Sequence, residues 1–126
     1  MPKILIVEDD GLMSRMYDRL ISFAGNEVEV AEDGEAGFVK AKEFLPDLIL
    51  LDVMMPRMNG LEVIQKLKEE PKTRNIIVVL LTNLGIQEKL DEAMQLGAAA
   101  VITKSNHQPD EIVEMVANLL KEKPSV

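Results

Sequence analysis

Leu48-Ile49-Leu50-Leu51 is an unbroken apolar run that ends at Asp52. A strand covered on both faces needs apolar side chains at odd and even positions alike, so this run reads as an interior strand of a parallel sheet. Ile4-Leu5-Ile6-Val7, Ile76 to Leu81 and Ala98 to Ile102 have the same character. Glu27-Val28-Glu29-Val30 alternates instead, which gives it one wet face and places it at a sheet edge. Between the runs, Leu12/Met16/Leu20, Leu61/Ile64/Leu67 and Ile112/Val116/Leu119 recur at helical spacing, and each stripe is expected to cover the sheet. Gly25 and Gly97 fall where the first and fourth helical patterns end, and Asp33 can cap the second. Pro109-Asp110-Glu111 opens the fifth with its acids at the positive end of the helix dipole. The pattern is five βα units of an α/β fold.

The chain has 126 residues, 47% hydrophobic and 29% charged, which suits one globular domain on a prior of about 150 residues each. Only Lys123 to Val126 reads as a tail, so one domain over residues 1–126 with no output domain is expected. The absence of cysteine excludes disulfides, thiolate zinc, iron–sulfur clusters and a cysteine nucleophile, and the single histidine argues against a His-rich metal site. A net charge of -8 disfavours nonspecific contact with nucleic acid or anionic lipid. No apolar run is long enough to span a bilayer and no export segment is evident, so a cytoplasmic location is expected.

Ligands of open parallel sheets bind beyond the carboxyl ends of the strands, and here those ends are polar: Glu8-Asp9-Asp10, Asp52, Thr82-Asn83 and Thr103-Lys104. Any one of these could be a turn or cap residue. Asp52 is different, because a carboxylate set among apolar neighbours is costly unless a cation or hydrogen bonds compensate. Clustered acids also repel and raise one another's pKa, which a hard divalent cation such as Mg²⁺ relieves. Lys104 adds a mobile positive charge suited to phosphate.

The ordered set Ile4-Leu5-Ile6-Val7-Glu8-Asp9-Asp10, Leu50-Leu51-Asp52-Val53-Met54-Met55-Pro56 with Asn59-Gly60, Leu81-Thr82 and Thr103-Lys104 resembles a response-regulator receiver domain of bacterial two-component signalling. The resemblance covers essentially the whole chain. It implies a flavodoxin-like, doubly wound (βα)5 parallel sheet of strand order 2-1-3-4-5. Strands one and three would then be neighbours about 4.8 Å apart, and Lys104 would cross a gap of about 10 Å from strand five.

The resemblance further implies a phosphorylation-activated signalling switch, a phosphoacceptor rather than an enzyme. Asp52 would take a phosphoryl group from a phosphohistidine, with Thr82 and Lys104 binding the phosphoryl oxygens. Mg²⁺ would be held by Glu8, acting through water, by Asp9, by Asp52 and by the backbone carbonyl of Met54. The implied partners are a sensor histidine kinase or histidine phosphotransfer protein and a downstream protein target, with no direct nucleic acid or membrane contact.

Two departures bear on the readout. Val101 stands where many receivers carry an aromatic, and Ser105 replaces a proline that is often cis, so a trans Lys104–Ser105 bond is expected. Met54 and Leu84 are apolar where receivers can place a water-orienting side chain, so slow hydrolysis of the phosphorylated form is expected. Two rival readings are a Mg-dependent phosphatase of aspartyl-nucleophile type and a catalytically inactive docking module. The first wants a second acid two residues after the nucleophile, where Asp52 is followed by Val53 and Met54. The second is hard to reconcile with an intact Asp9, Asp52, Thr82 and Lys104 set.

Overall fold

A computed structural model describes residues 1–53, 59–82 and 87–122. Strands β1 (Lys3–Val7), β2 (Glu27–Ala31), β3 (Leu48–Asp52), β4 (Ile77–Thr82) and β5 (Ala100–Thr103) form one parallel sheet in the order β2-β1-β3-β4-β5. Helices α1 (Gly11–Phe23), α2 (Gly34–Phe44), α3 (Gly60–Glu69), α4 (Gln87–Leu96) and α5 (Pro109–Glu122) connect and follow them. The fold class and strand order inferred from the sequence are those observed.

Because the central strands are apolar at every position, the sheet carries a core on each face. Tyr17 and Ile21 of α1 and Ile112 and Val116 of α5 join Ile4, Ile6, Leu48, Leu50, Val79, Leu81 and Ile102 on one side. On the other, Ala41, Leu61, Val63, Ile64, Leu67 and Ala93 from α2, α3 and α4 pack with Leu5, Val7, Ile49, Leu51, Val78 and Leu80. The stripe expected on α3 is buried as read, and on α5 Ile112 and Val116 are buried while Leu119 is half-buried against the same core.

The stripe expected on α1 is covered only in part: Met16 packs against the core and Leu20 is half-buried. Leu12 is 75% exposed, and the helix buries Ser14, Tyr17 and Ile21 instead. Met13/Tyr17/Ile21 is a second stripe about 100° round the helix from Leu12/Met16/Leu20. It wins because an aromatic ring has more area to remove from water than the competing Leu12. Leu12, Met16 and Leu20 therefore line an outward groove with Arg15 and Arg19.

The start of the fifth strand also moves. Ala98 N–H closes the end of α4 by donating to Ala93 O (3.0 Å), Ala99 N–H reaches Val78 O of β4 (2.8 Å), and β5 itself begins at Ala100. Gly97, with φ +112°, supplies the left-handed residue that ends α4, as its position suggested. At the opposite edge, β2 keeps Glu27 and Glu29 exposed, and Lys40 Nζ donates to Val30 O at 2.9 Å. No cis peptide bond occurs among the described residues, in keeping with the expected trans Lys104–Ser105 bond, and Lys104–Asn106 forms a short 3₁₀ turn.

Candidate functional site

The carboxyl ends of β1, β3, β4 and β5 converge on one edge of the sheet. Val7 pairs with Leu51 and Asp52 with Leu81, so the residues that follow these strands are brought together by register alone. Glu8 continues β1, its N–H held by Ala31 O at 3.0 Å. One carboxylate oxygen from each of Glu8, Asp9 and Asp52 lies within 4.8 Å of the others. Asp10 is not in this group: its Oδ1 accepts from Leu12 N–H at 2.9 Å and Met13 N–H at 3.3 Å, which caps α1. The run of three acids thus divides into two site residues and a helix cap.

Lys104 spans the site from β5. Its Nζ stands 2.7 Å from Glu8 Oε1 and 3.7 Å from Asp52 Oδ2. Burial by itself pushes this ammonium down, but its hydrogen bond to Glu8 and the charges of Asp52 and Glu8 outweigh burial, and the pKa is raised. Glu8 is 4% exposed, and among the described residues its Oε2 is a buried oxygen with no hydrogen-bond partner. Burial first, then contact with Asp52, raises its carboxyl above the ordinary 4.5, against the pull of Lys104. Thr82 ends β4 one position past Leu81, opposite Thr103, and is 1% exposed. Met54 and Leu84 lie outside the described residues.

The backbone around Asp52 is held from α3. Gly60 N–H donates to Val53 O at 2.9 Å, and a Cβ on Gly60 would stand 2.8 Å from Asp52 O. Asn59 caps this helix through Glu62 N–H at 3.0 Å. The Asn59-Gly60 pair therefore fixes the strand end that carries Asp52, a packing role the sequence names only by position. Sequence reasoning also missed Tyr17, whose buried phenol is raised first by burial, with the charges of Lys104, Glu8 and Asp52 acting on it in turn. Its spacing from Met13 and Ile21 was the available signal.

This constellation on a 2-1-3-4-5 sheet defines a receiver fold. The family model of the response regulator receiver domain matches residues 4–117, and the chain belongs to that family. It is 38% identical over 120 residues to the DNA-binding dual master transcriptional regulator RpaA of Synechocystis, covering 94% of this chain and 48% of that protein. The chain spans about half or less of the curated relatives it matches. Among solved structures, the chemotaxis protein CheY4 of Vibrio cholerae superposes with a TM-score of 0.87 at 29% identity, covering 94% of this chain and 98% of that one. The Mn(2+)-bound form of response regulator Rcp1 superposes with a TM-score of 0.84 at 26% identity, covering 100% and 99%. Among the described residues, no helix is long and apolar enough to cross a membrane.

Proposed function

We propose that this receiver is a phosphorylation-activated switch in which Asp52 accepts a phosphoryl group from a phosphohistidine and Thr82 and Lys104 bind the phosphoryl oxygens. The observation that carries this reading is the approach of Lys104 Nζ to within 3.7 Å of Asp52 Oδ2, beside the three clustered carboxylates. An Asp52 oxygen attacks phosphorus, a P–O bond forms and the P–N bond to imidazole breaks. The bond's electron pair leaves on the imidazole nitrogen, which takes up a proton. Phosphoryl transfer asks the protein mainly for in-line positioning and charge neutralisation, and Lys104 provides a charge that can shift from Glu8 to the new phosphoryl oxygens. Thr82 adds a hydroxyl at the end of β4, coupling acceptance to the helix that follows.

Glu8, Asp9 and Asp52 fit a hard divalent cation of the Mg²⁺ type, since all three offer oxygen donors and the orphaned Glu8 Oε2 lacks a partner. When bound, such an ion neutralises charge on the phosphoryl oxygens. The manganese-bound state of Rcp1, a structural neighbour, supports assigning a divalent site here. The Met54 carbonyl is proposed as a fourth donor on the family resemblance.

The upstream partner is proposed to be a histidine kinase or phosphotransfer protein, and the output a changed surface that a target protein reads. The α1 groove of Leu12, Met16 and Leu20 flanked by Arg15 and Arg19 opens from the helix that starts beside Asp9, which suits an acidic, apolar partner helix. Acetyl phosphate with Mg²⁺ and a phosphate-sensitive gel tests the reading: the parent shifts and Asp52→Asn does not. Label that persists in Asp52→Asn overturns the assignment.

A further inference from the structure

Tyr17 is the bulkiest of the fully buried side chains among the described residues, and it belongs to the core on the α1 and α5 face of the sheet. Ile6, Leu50 and Ile102 each stand two residues before Glu8, Asp52 and Lys104, and all three belong to the cluster that contains Tyr17. Strands present every second side chain to one face. Glu8 and Asp52 therefore emerge on the α1 side of the sheet, the side that Tyr17 fills. The phenol feels the charges of Lys104, Glu8 and Asp52, and Lys104 in turn feels the phenol. Burial raises the phenol, so it stays neutral and adds no charge of its own to the site.

The Lys104 side chain is only 12% exposed although its ammonium reaches two carboxylates. A lysine stem held in that state needs apolar surface along its methylenes. Val101, the nearby β5 residue, packs with the cluster on the opposite face. The cluster on the other face holds Ile102, two residues before Lys104, and its aromatic member is Tyr17 of α1.

We propose that Tyr17 is a positioning residue for phosphoryl acceptance that acts through Lys104: its buried ring confines the lysine stem, keeping the ammonium over the gap between Glu8 and Asp52. This rests on the reading of Asp52 as acceptor and Lys104 as the group that binds phosphoryl oxygens. The ring is the working part, and the hydroxyl is dispensable. Misplacing a charge by an ångström is enough to slow a reaction that depends on positioning.

The test uses the full chain, acetyl phosphate as donor and Mn²⁺ titration as an independent readout. Tyr17→Leu should lower the rate of Asp52 labelling about fivefold or more at saturating donor while leaving Mn²⁺ affinity unchanged. Tyr17→Phe should restore the rate. In a Lys104→Ala background, Tyr17→Leu should cost nothing further, whereas a merely structural role would multiply the two losses. Parental labelling by Tyr17→Leu, or multiplying losses in the double variant, overturns the proposal and leaves Asp52 as acceptor untouched. A parent that takes no label overturns the acceptor reading and this proposal with it. Should Tyr17→Leu not fold, the chain's single tyrosine and lack of tryptophan make the near-ultraviolet dichroism of Lys104→Ala decisive. A changed tyrosine band supports the contact, and an unchanged one overturns it.

Discussion

Lys104 and Glu8, 96 residues apart in sequence, are joined by a 2.7 Å hydrogen bond from Nζ to Oε1. The bond occupies the lysine that the proposed chemistry needs at Asp52, which lies only 3.7 Å away. The buried carboxylates thus have a cation in place before any phosphoryl group arrives.

Removing that cation should expose how much the fold relies on it. Lys104→Met should lower stability by about 1–3 kcal/mol, because a buried charged acceptor then loses its donor. Saturating Mg²⁺ should recover part of the loss, since an ion that binds only the folded state stabilises it. Urea unfolding with and without Mg²⁺ checks this, and an equal deficit in both conditions contradicts it.

Glu8 gives a pH dependence of defined sign. Its folded pKa is raised by burial and by Asp52, so the folded state holds this proton more tightly than the unfolded chain does. Its contribution is fully present below the ordinary value of 4.5 and is lost as pH rises through the raised folded value. Metal-free Glu8→Gln should therefore gain stability relative to the parent as pH increases through that window. Denaturant midpoints at a series of pH values measure it, and parallel curves would refute it.

Gly60→Ala should destabilise by about 1–3 kcal/mol and slow labelling of Asp52, as overpacking does in a tight contact. The added Cβ meets backbone, Asp52 O at 2.8 Å and Val53 Cα at 2.9 Å, not a flexible side chain that could yield. Urea unfolding and acetyl phosphate labelling together test both parts. A variant as stable and as fast as the parent would mean that β3 and α3 separate freely.

Leu12→Glu combined with Arg19→Glu should reduce phosphotransfer from a phosphohistidine protein about tenfold while sparing acetyl phosphate labelling. Both side chains lie on the outward groove of α1, away from the buried stripe. Comparing the two donors in single-turnover assays decides the matter, and equal losses with both would place the defect in the site itself.

Strand positions were legible because residues 48–51 and 76–81 are apolar at every position, a pattern that only a doubly covered sheet requires. The orientation of α1 was not, since Leu12/Met16/Leu20 and Met13/Tyr17/Ile21 both satisfy helical spacing and only packing decides between them. Asp52 and Lys104 could be named from their places after apolar runs. The Glu8–Lys104 bond could not, because it depends on side-chain reach across two intervening strands. Asp10, which the sequence shows only as the third acid of the run after the first strand, caps α1, a role that depends on where the helix begins.

Lys40 at the margin of β2 governs how copies of the chain can meet. A strand from another copy growing onto that edge would need the Val30 carbonyl, which the lysine already holds at 2.9 Å. A like-for-like β2 approach would also bring exposed Glu27 and Glu29 against their own counterparts. The capped carbonyl and the edge charges disfavour templated, amyloid-like growth at this margin, so a locally unravelled copy finds a poor foothold there on its folded neighbours.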